Sequence, residues 1–269
     1  MSSKARTGPL VALADSTEQA GFMLLLLARA LLAGLWPRPL GRSFARLLEQ
    51  MHVQLVKSLA VVSVVGVFTG MILALQMGET LQRYGLEDRL GGVVGATMAR
   101  EMGPFITAII LAATVGASIA AELGTMRVSE EIDALELMNI DPVPFLVSPR
   151  IQALAVSAVL LTVWVNTIGV LGGALVAQSQ FGVSFADSLE GARAIFATEL
   201  MYGTLSKDIF SGLVKAGIFG LFIGALSCAA GLKASGGALG VGRAVRSSVV
   251  ASVLVTLVVG YLVSWVFWA

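Results

Sequence analysis

Apolar residues in this chain run in long unbroken stretches, with polar residues gathered between them. Five stretches reach the roughly 20 residues that a helix needs to cross the hydrocarbon core of a bilayer. They are Ser58–Gly78, Met102–Ala121, Ile151–Ala177, Ile209–Leu232 and Ser247–Ala269, and only Lys215 interrupts the fourth. With their polar margins they predict spans over residues 45–78, 90–122, 148–177, 207–232 and 244–268. Trp265 and Trp268 suit an interfacial belt at the end of the last span. A sixth apolar segment, Ala20–Trp36, holds Arg29 and runs into Pro37-Arg38-Pro39. Its uncharged part is too short to span. It reads as a helix over 18–36 lying in the membrane interface, with Glu18, Gln19 and Arg29 toward water. Residues 1–17 read as a flexible cytoplasmic tail. The expected fold is an all-α integral membrane protein with one membrane domain over 18–269.

Composition agrees with the pattern. The chain is 57% hydrophobic and 13% charged, with mean hydropathy +0.87; soluble domains carry about 25% charged residues. A net charge of +1 leaves no basic footprint for nucleic acid. Lys and Arg orient the spans. Segments 1–57, 122–150 and 231–246 hold twelve of the eighteen, against Arg83, Arg89, Arg100, Arg193, Lys207 and Lys215 elsewhere. By the positive-inside rule the N-terminus is cytoplasmic and the C-terminus lies outside.

Three GxxxG patterns, Gly66–Gly70, Gly169–Gly173 and Gly220–Gly224, allow close helix approach. They suit packing within the chain or a dimer face. Between spans two and three, Arg127–Met138 places Val128, Ile132, Leu135 and Met138 on one helical face, with Glu130, Glu131, Asp133 and Glu136 on the others. So short a helix is unstable alone in water. It either packs on its own spans or plugs a groove of a cytoplasmic partner.

Charges near a membrane are functional candidates. A helix over Leu90–Ala121 measures about 48 Å, longer than the ~30 Å core, so Arg100 and Glu101 fall at the outer headgroup level. Lys215 can snorkel toward the same level, and Tyr84 in the outer loop Glu79–Arg89 can join them. Met71, Met77, Met98 and Met102 offer adaptable apolar surface for packing or acyl chains. No catalytic set appears: His52 stands alone, so no nucleophile has an adjacent base. No His/Cys cluster suggests a metal, and the single Cys228 forms no internal disulfide. The absence of a GxxxxGK[ST] loop argues against ATP hydrolysis by this chain. Gly236–Gly242 follows no strand and reads as a tight cytoplasmic loop.

Several motifs in order resemble one family. They are Arg100-Glu101-Met102-Gly103-Pro104, Ala120-Ala121-Glu122-Leu123-Gly124-Thr125-Met126-Arg127, Glu130-Glu131-Ile132-Asp133-Ala134-Leu135-Glu136 with Asp141-Pro142, Ser148-Pro149-Arg150, Lys215–Gly220, and Gly236–Ala244. They resemble the MlaE/YrbE family of permease subunits, which serve lipid-transporting ABC complexes that work with MCE-domain proteins. The resemblance spans roughly residues 20–269. It departs at Thr114, where family members commonly carry an arginine, and at Val245-Arg246, where they carry a threonine pair.

The resemblance implies an interfacial helix, five spans, a homodimer and a bacterial inner-membrane location. It implies cytoplasmic ABC ATPase subunits that use ATP and Mg, with no cofactor on this chain. Each would receive a coupling helix, here Glu130, Glu131, Ile132, Asp133, Leu135, Glu136 and Met138. A periplasmic MCE ring would sit outside. A phospholipid cavity between protomers would be lined by Leu73, Met77, Leu81, Tyr84, Arg100, Glu101, Met102 and Lys215. The residues alone also suit an ion-gradient-driven secondary transporter or a non-transporting scaffold. The former predicts inverted repeats and midplane charges, which the sequence does not display.

Overall fold

The structure, a computed structural model, describes residues 40–268 except 199 and 202–204, together with Gly21, Leu25, Ala28 and Arg29, which are helical. The expected tail over 1–17 and most of the expected interfacial helix over 18–36 lie outside the described residues. The elements in chain order are α1 (Leu40–Arg83), α2 (Leu90–Thr97), α3 (Gly103–Leu111), α4 (Ala117–Val128), α5 (Glu131–Leu137), α6 (Ser148–Phe181), α7 (Phe185–Thr198), β1 (Leu200–Met201), β2 (Leu205–Ser206), α8 (Lys207–Leu232) and α9 (Gly237–Trp268). The two-residue strands pair antiparallel. Among the described residues the rest is helix with short connections.

Five helical stretches are long and apolar enough to cross a membrane: Leu47–Arg83, Glu87–Val128, Val143–Phe181, Lys207–Leu232 and Gly237–Trp268. The second is composite. A π-helical turn at Met98–Met102 joins α2 to α3, and another at Ala112–Gly116 joins α3 to α4. Pro104 accounts for the first. Its nitrogen carries no hydrogen, so the carbonyl of Arg100, four residues earlier, has no α-helical donor. A π turn is how a helix absorbs such a break. The third span opens with another π turn, Val143–Val147, held by Asp141, whose Oδ1 accepts from the Val143 N–H at 2.9 Å.

Close backbone approach builds the bundle. A Cβ on Gly70 would fall 1.8 Å from the Gly169 carbonyl oxygen, and one on Gly220 would fall 2.7 Å from that of Leu154. Gly66 and Gly173 face the same α1–α6 seam, and Gly224 faces Ile151. All three GxxxG patterns are thus engaged within the chain. Around these seams Val62, Leu111, Leu123, Ile151, Leu154, Leu161, Val165 and Ile223 are fully enclosed. The outermost span is α9. It buries Gly240, Ala244, Ser248, Ser252 and Thr256, one small residue per turn, and exposes Val250, Leu254, Val258, Tyr261 and Leu262.

One sequence expectation needs correction. Gly236–Gly242 is not a loop: Gly236 (φ +86°) and Gly237 (φ +69°) make the turn, and Gly237 already opens α9. Both adopt a backbone that side chains disfavour, which a glycine-rich run conceals by offering the same freedom at every position. The segment between spans three and four holds a further helix, α7. Gly182 (φ +70°) ends α6 in the left-handed conformation. α7 then lies on α2, where a Cβ on Gly91 would fall 2.0 Å from the Ser188 carbonyl oxygen.

Candidate functional site

Alternation of the spans brings the end of α1, the start of α2, the start of α8 and the end of α9 to one face. The π turn Met98–Met102 delivers Arg100 and Glu101 there. Gly212 allows α8 to meet that turn, since a Cβ would fall 1.9 Å from the Ala99 carbonyl oxygen. α8 opens with Ser206, whose Oγ accepts from the Ile209 N–H, so that Lys207 and Asp208 occupy its first turn.

A linked charge cluster results. Arg100 Nε donates to Asp208 Oδ1 at 2.5 Å. Lys215 Nζ donates to Glu101 Oε1 at 2.5 Å and to the Arg100 carbonyl at 2.9 Å, the carbonyl that Pro104 leaves without a helical donor. Ser264 of α9 donates to Glu101 Oε1 at 2.9 Å. The Trp268 ring lies 4.0 Å from the Arg100 guanidinium carbon and 4.4 Å from Lys207 Nζ. Phe210 and Phe267 meet edge to face beside it, centroids 6.1 Å apart. Three spans are thus tied at one depth.

Exposure separates the members. Lys215 is 1% exposed, so it does not snorkel outward: the carboxylate and carbonyl partners it needs lie inside. Asp208 is equally enclosed, whereas the side chains of Arg100 and Glu101 are 36% and 44% exposed. Of the other expected residues, Leu73 is in the core, and Met77, Leu81 and Met102 pack half-buried against it. Tyr84 is 75% exposed and joins none of these bonds. Sequence reasoning missed Lys207, Asp208, Ser264 and Trp268 as cluster members. An acid beside a lysine at the start of a span was the available signal for the first two.

The opposite face holds the acidic segment. Glu122 accepts from Arg150 at 3.2 Å, joining spans two and three. Val128 still belongs to α4. Glu130 then turns left-handed (φ +62°) and α5 begins, so Val128 and Ile132 are not on one continuous helix. Ile132 is 2% exposed and Leu135 half-buried, while Leu137 and Met138 stand 89% and 61% exposed. Arg127 pairs with Asp133. Glu130, Glu131 and Glu136 face solvent. The expected apolar face is therefore split: one part docks on the body and the other projects.

At the position of the family arginine, Thr114 lies in the π turn Ala112–Gly116. Its hydroxyl donates to the Ile110 carbonyl and lies 3.2 Å from that of Ser58. Among the described residues no group of three or more His, Cys, Asp or Glu is arranged to hold a metal ion.

Comparison with known proteins gives consistent matches. The chain is 40% identical over 210 residues to a probable ABC transporter permease protein of Rickettsia felis, covering 78% of each chain. It is 34% identical over 218 residues to a probable ABC transporter permease protein of Synechocystis sp., covering 81% of this chain and 80% of that one. It is 31% identical over 240 residues to the intermembrane phospholipid transport system permease protein MlaE of Haemophilus influenzae, covering 89% and 87%. The family described as permease MlaE matches residues 47–266, and that span with these relatives makes this multi-pass membrane protein a member of the MlaE family of ABC transporter permeases.

Proposed function

We propose that the chain is the membrane permease of an ATP-driven phospholipid transporter in a bacterial inner membrane, exchanging lipid with a periplasmic MCE-protein partner. The observation that carries this reading is the charge cluster at the mouth of an otherwise apolar bundle. Arg100 offers a half-exposed guanidinium there, and the same ends of the first two spans carry half-buried Met77, Leu81 and Met102. Charge for a phosphate next to flexible apolar surface for acyl chains is the pairing a phospholipid needs. The phospholipid named in the Haemophilus relative supports the same substrate class.

The N-terminus is cytoplasmic and the C-terminus periplasmic, so the cluster opens outward. The chain works as a homodimer with the lipid held between protomers. Met77, Leu81, Tyr84 and Met102 line that space with core Leu73 behind them, and Glu101 and Lys215 brace Arg100. ATP and Mg bind separate ATPase subunits, which press on the segment Glu130–Met138. Such a complex serves the lipid asymmetry of an outer membrane.

Native mass spectrometry of the purified protein tests the site. Stoichiometric phospholipid is expected on the wild type and is lost in Arg100→Ala. A wild type free of lipid, or equal retention by the variant, contradicts the reading.

A further inference from the structure

Lys215 and Lys207 occupy opposite situations in the mouth cluster. The Lys215 ammonium is enclosed and already donates to Glu101 and to the carbonyl freed by Pro104. It is consumed by the protein and has no route to a ligand. Lys207 is half-buried at the first position of α8 and shares the Trp268 ring with Arg100. Among the described residues it forms no ion pair, whereas Arg100, Glu101, Asp208 and Lys215 all do. Among the described residues, three cations stand against two carboxylates in this cluster, and the cation left over is Lys207.

Two cations beside one indole have a further consequence. Each is attracted to the ring, but they repel one another, and among the described residues the Asp208 carboxylate is bonded to Arg100 Nε and not to Lys207. An anion that contacts both cations relieves that repulsion. The first turn of α8, with its Ser206 cap, adds a partial positive charge on the same side.

We propose that Arg100 and Lys207, held over Trp268, form the headgroup site for a single monoanionic phosphodiester, and that Lys207 sets a preference for anionic over zwitterionic phospholipid. This rests on the phospholipid reading above and gives that site its charge selectivity. A zwitterionic headgroup brings its own ammonium toward the ring and competes with Lys207, whereas an anionic headgroup does not. Lys215 is a positioning residue that acts through Glu101 and the Arg100 backbone.

The test uses the full-length protein in nanodiscs of phosphatidylcholine with a minor fraction of phosphatidylglycerol, and native mass spectrometry counts each retained lipid. The wild type is expected to enrich phosphatidylglycerol. Lys207→Gln should reduce that enrichment about fivefold, the worth of one interfacial cation, and Trp268→Leu should reduce it as well. Lys207→Arg should keep it, which separates charge from fold. Unchanged enrichment in Lys207→Gln overturns the assignment. Displacement of phosphatidylglycerol by millimolar inorganic phosphate also overturns it, by making this a free-phosphate site. A wild type that retains no phospholipid removes the phospholipid reading as well.

Discussion

Replacing Lys215 with Met is expected to destabilise the protein rather than merely weaken a ligand contact. The ammonium satisfies the Glu101 carboxylate and the Arg100 carbonyl while fully enclosed. Without it the Arg100 carbonyl loses its donor and Glu101 keeps only Ser264, a loss of about 1–3 kcal/mol read in thermal unfolding of the detergent-solubilised protein. Gly212→Ala is expected to cost a similar ~1–3 kcal/mol, because its Cβ would strike the Ala99 carbonyl, a rigid backbone atom. An unchanged melting temperature in either variant contradicts this account of the cluster. At this scale Arg100, Glu101 and Lys215 were legible in the sequence, because a charge bordering an apolar run is conspicuous. Ser264 and Trp268 were not, since each meets Glu101 or Arg100 more than 100 residues away and nothing local marks the pairing; Asp208 had only its place beside Lys207 at a span start to mark it. The role of Pro104 is local and follows from its missing N–H alone.

The short helix α5 shows what an element-scale pattern can and cannot reveal. Helical spacing grouped Val128, Ile132, Leu135 and Met138 correctly for an unbroken helix. The left-handed turn at Glu130 and the one at Asn139 (φ +57°) break that continuity, and neither residue is a glycine that would announce it. Ile132 consequently anchors α5 to its own spans, and Leu137 and Met138 are the side chains free to enter a partner. Leu137→Asp with Met138→Asp is therefore expected to abolish co-purification of the ATPase subunit while the melting temperature stays within about 2 °C, as befits surface positions. Ile132→Asp is expected to cost the fold itself. Retention of the ATPase by the Leu137/Met138 double variant contradicts the docking role. α7 escaped the sequence reading for a related reason. Its closest contacts are small, Ser188 against Gly91 and Gly191 against Gly92, and its large apolar residues Phe185 and Leu189 are only half-buried.

For the whole molecule, long apolar runs were a strong signal, and the five spans followed from length and hydropathy. Their arrangement did not. GxxxG patterns suit an intrachain seam and a dimer face equally, and only the positions of Gly169, Leu154 and Ile151 opposite them decide for the seam. A homodimer must then use other surface. The broad unburied side of α9, with Val250, Leu254, Val258 and Leu262 exposed, is available to the proposed homodimer. Val258→Cys in a Cys228→Ala background is expected to form a disulfide-linked dimer in membranes under mild oxidation. Its failure, while a cysteine on the exposed face of α6 at Val163 cross-links, contradicts that placement.

The central claim is that nucleotide-driven motion, received at α5, moves phospholipid through a mouth ordered by Arg100. Its most direct test is transfer of a fluorescent phospholipid by proteoliposomes holding the complete complex. Transfer is expected to require ATP, to fail in Arg100→Ala with ATP turnover preserved, and to ignore imposed ion gradients. Transfer driven by an ion gradient without nucleotide, or ATP turnover that moves no lipid in the wild type, contradicts the claim.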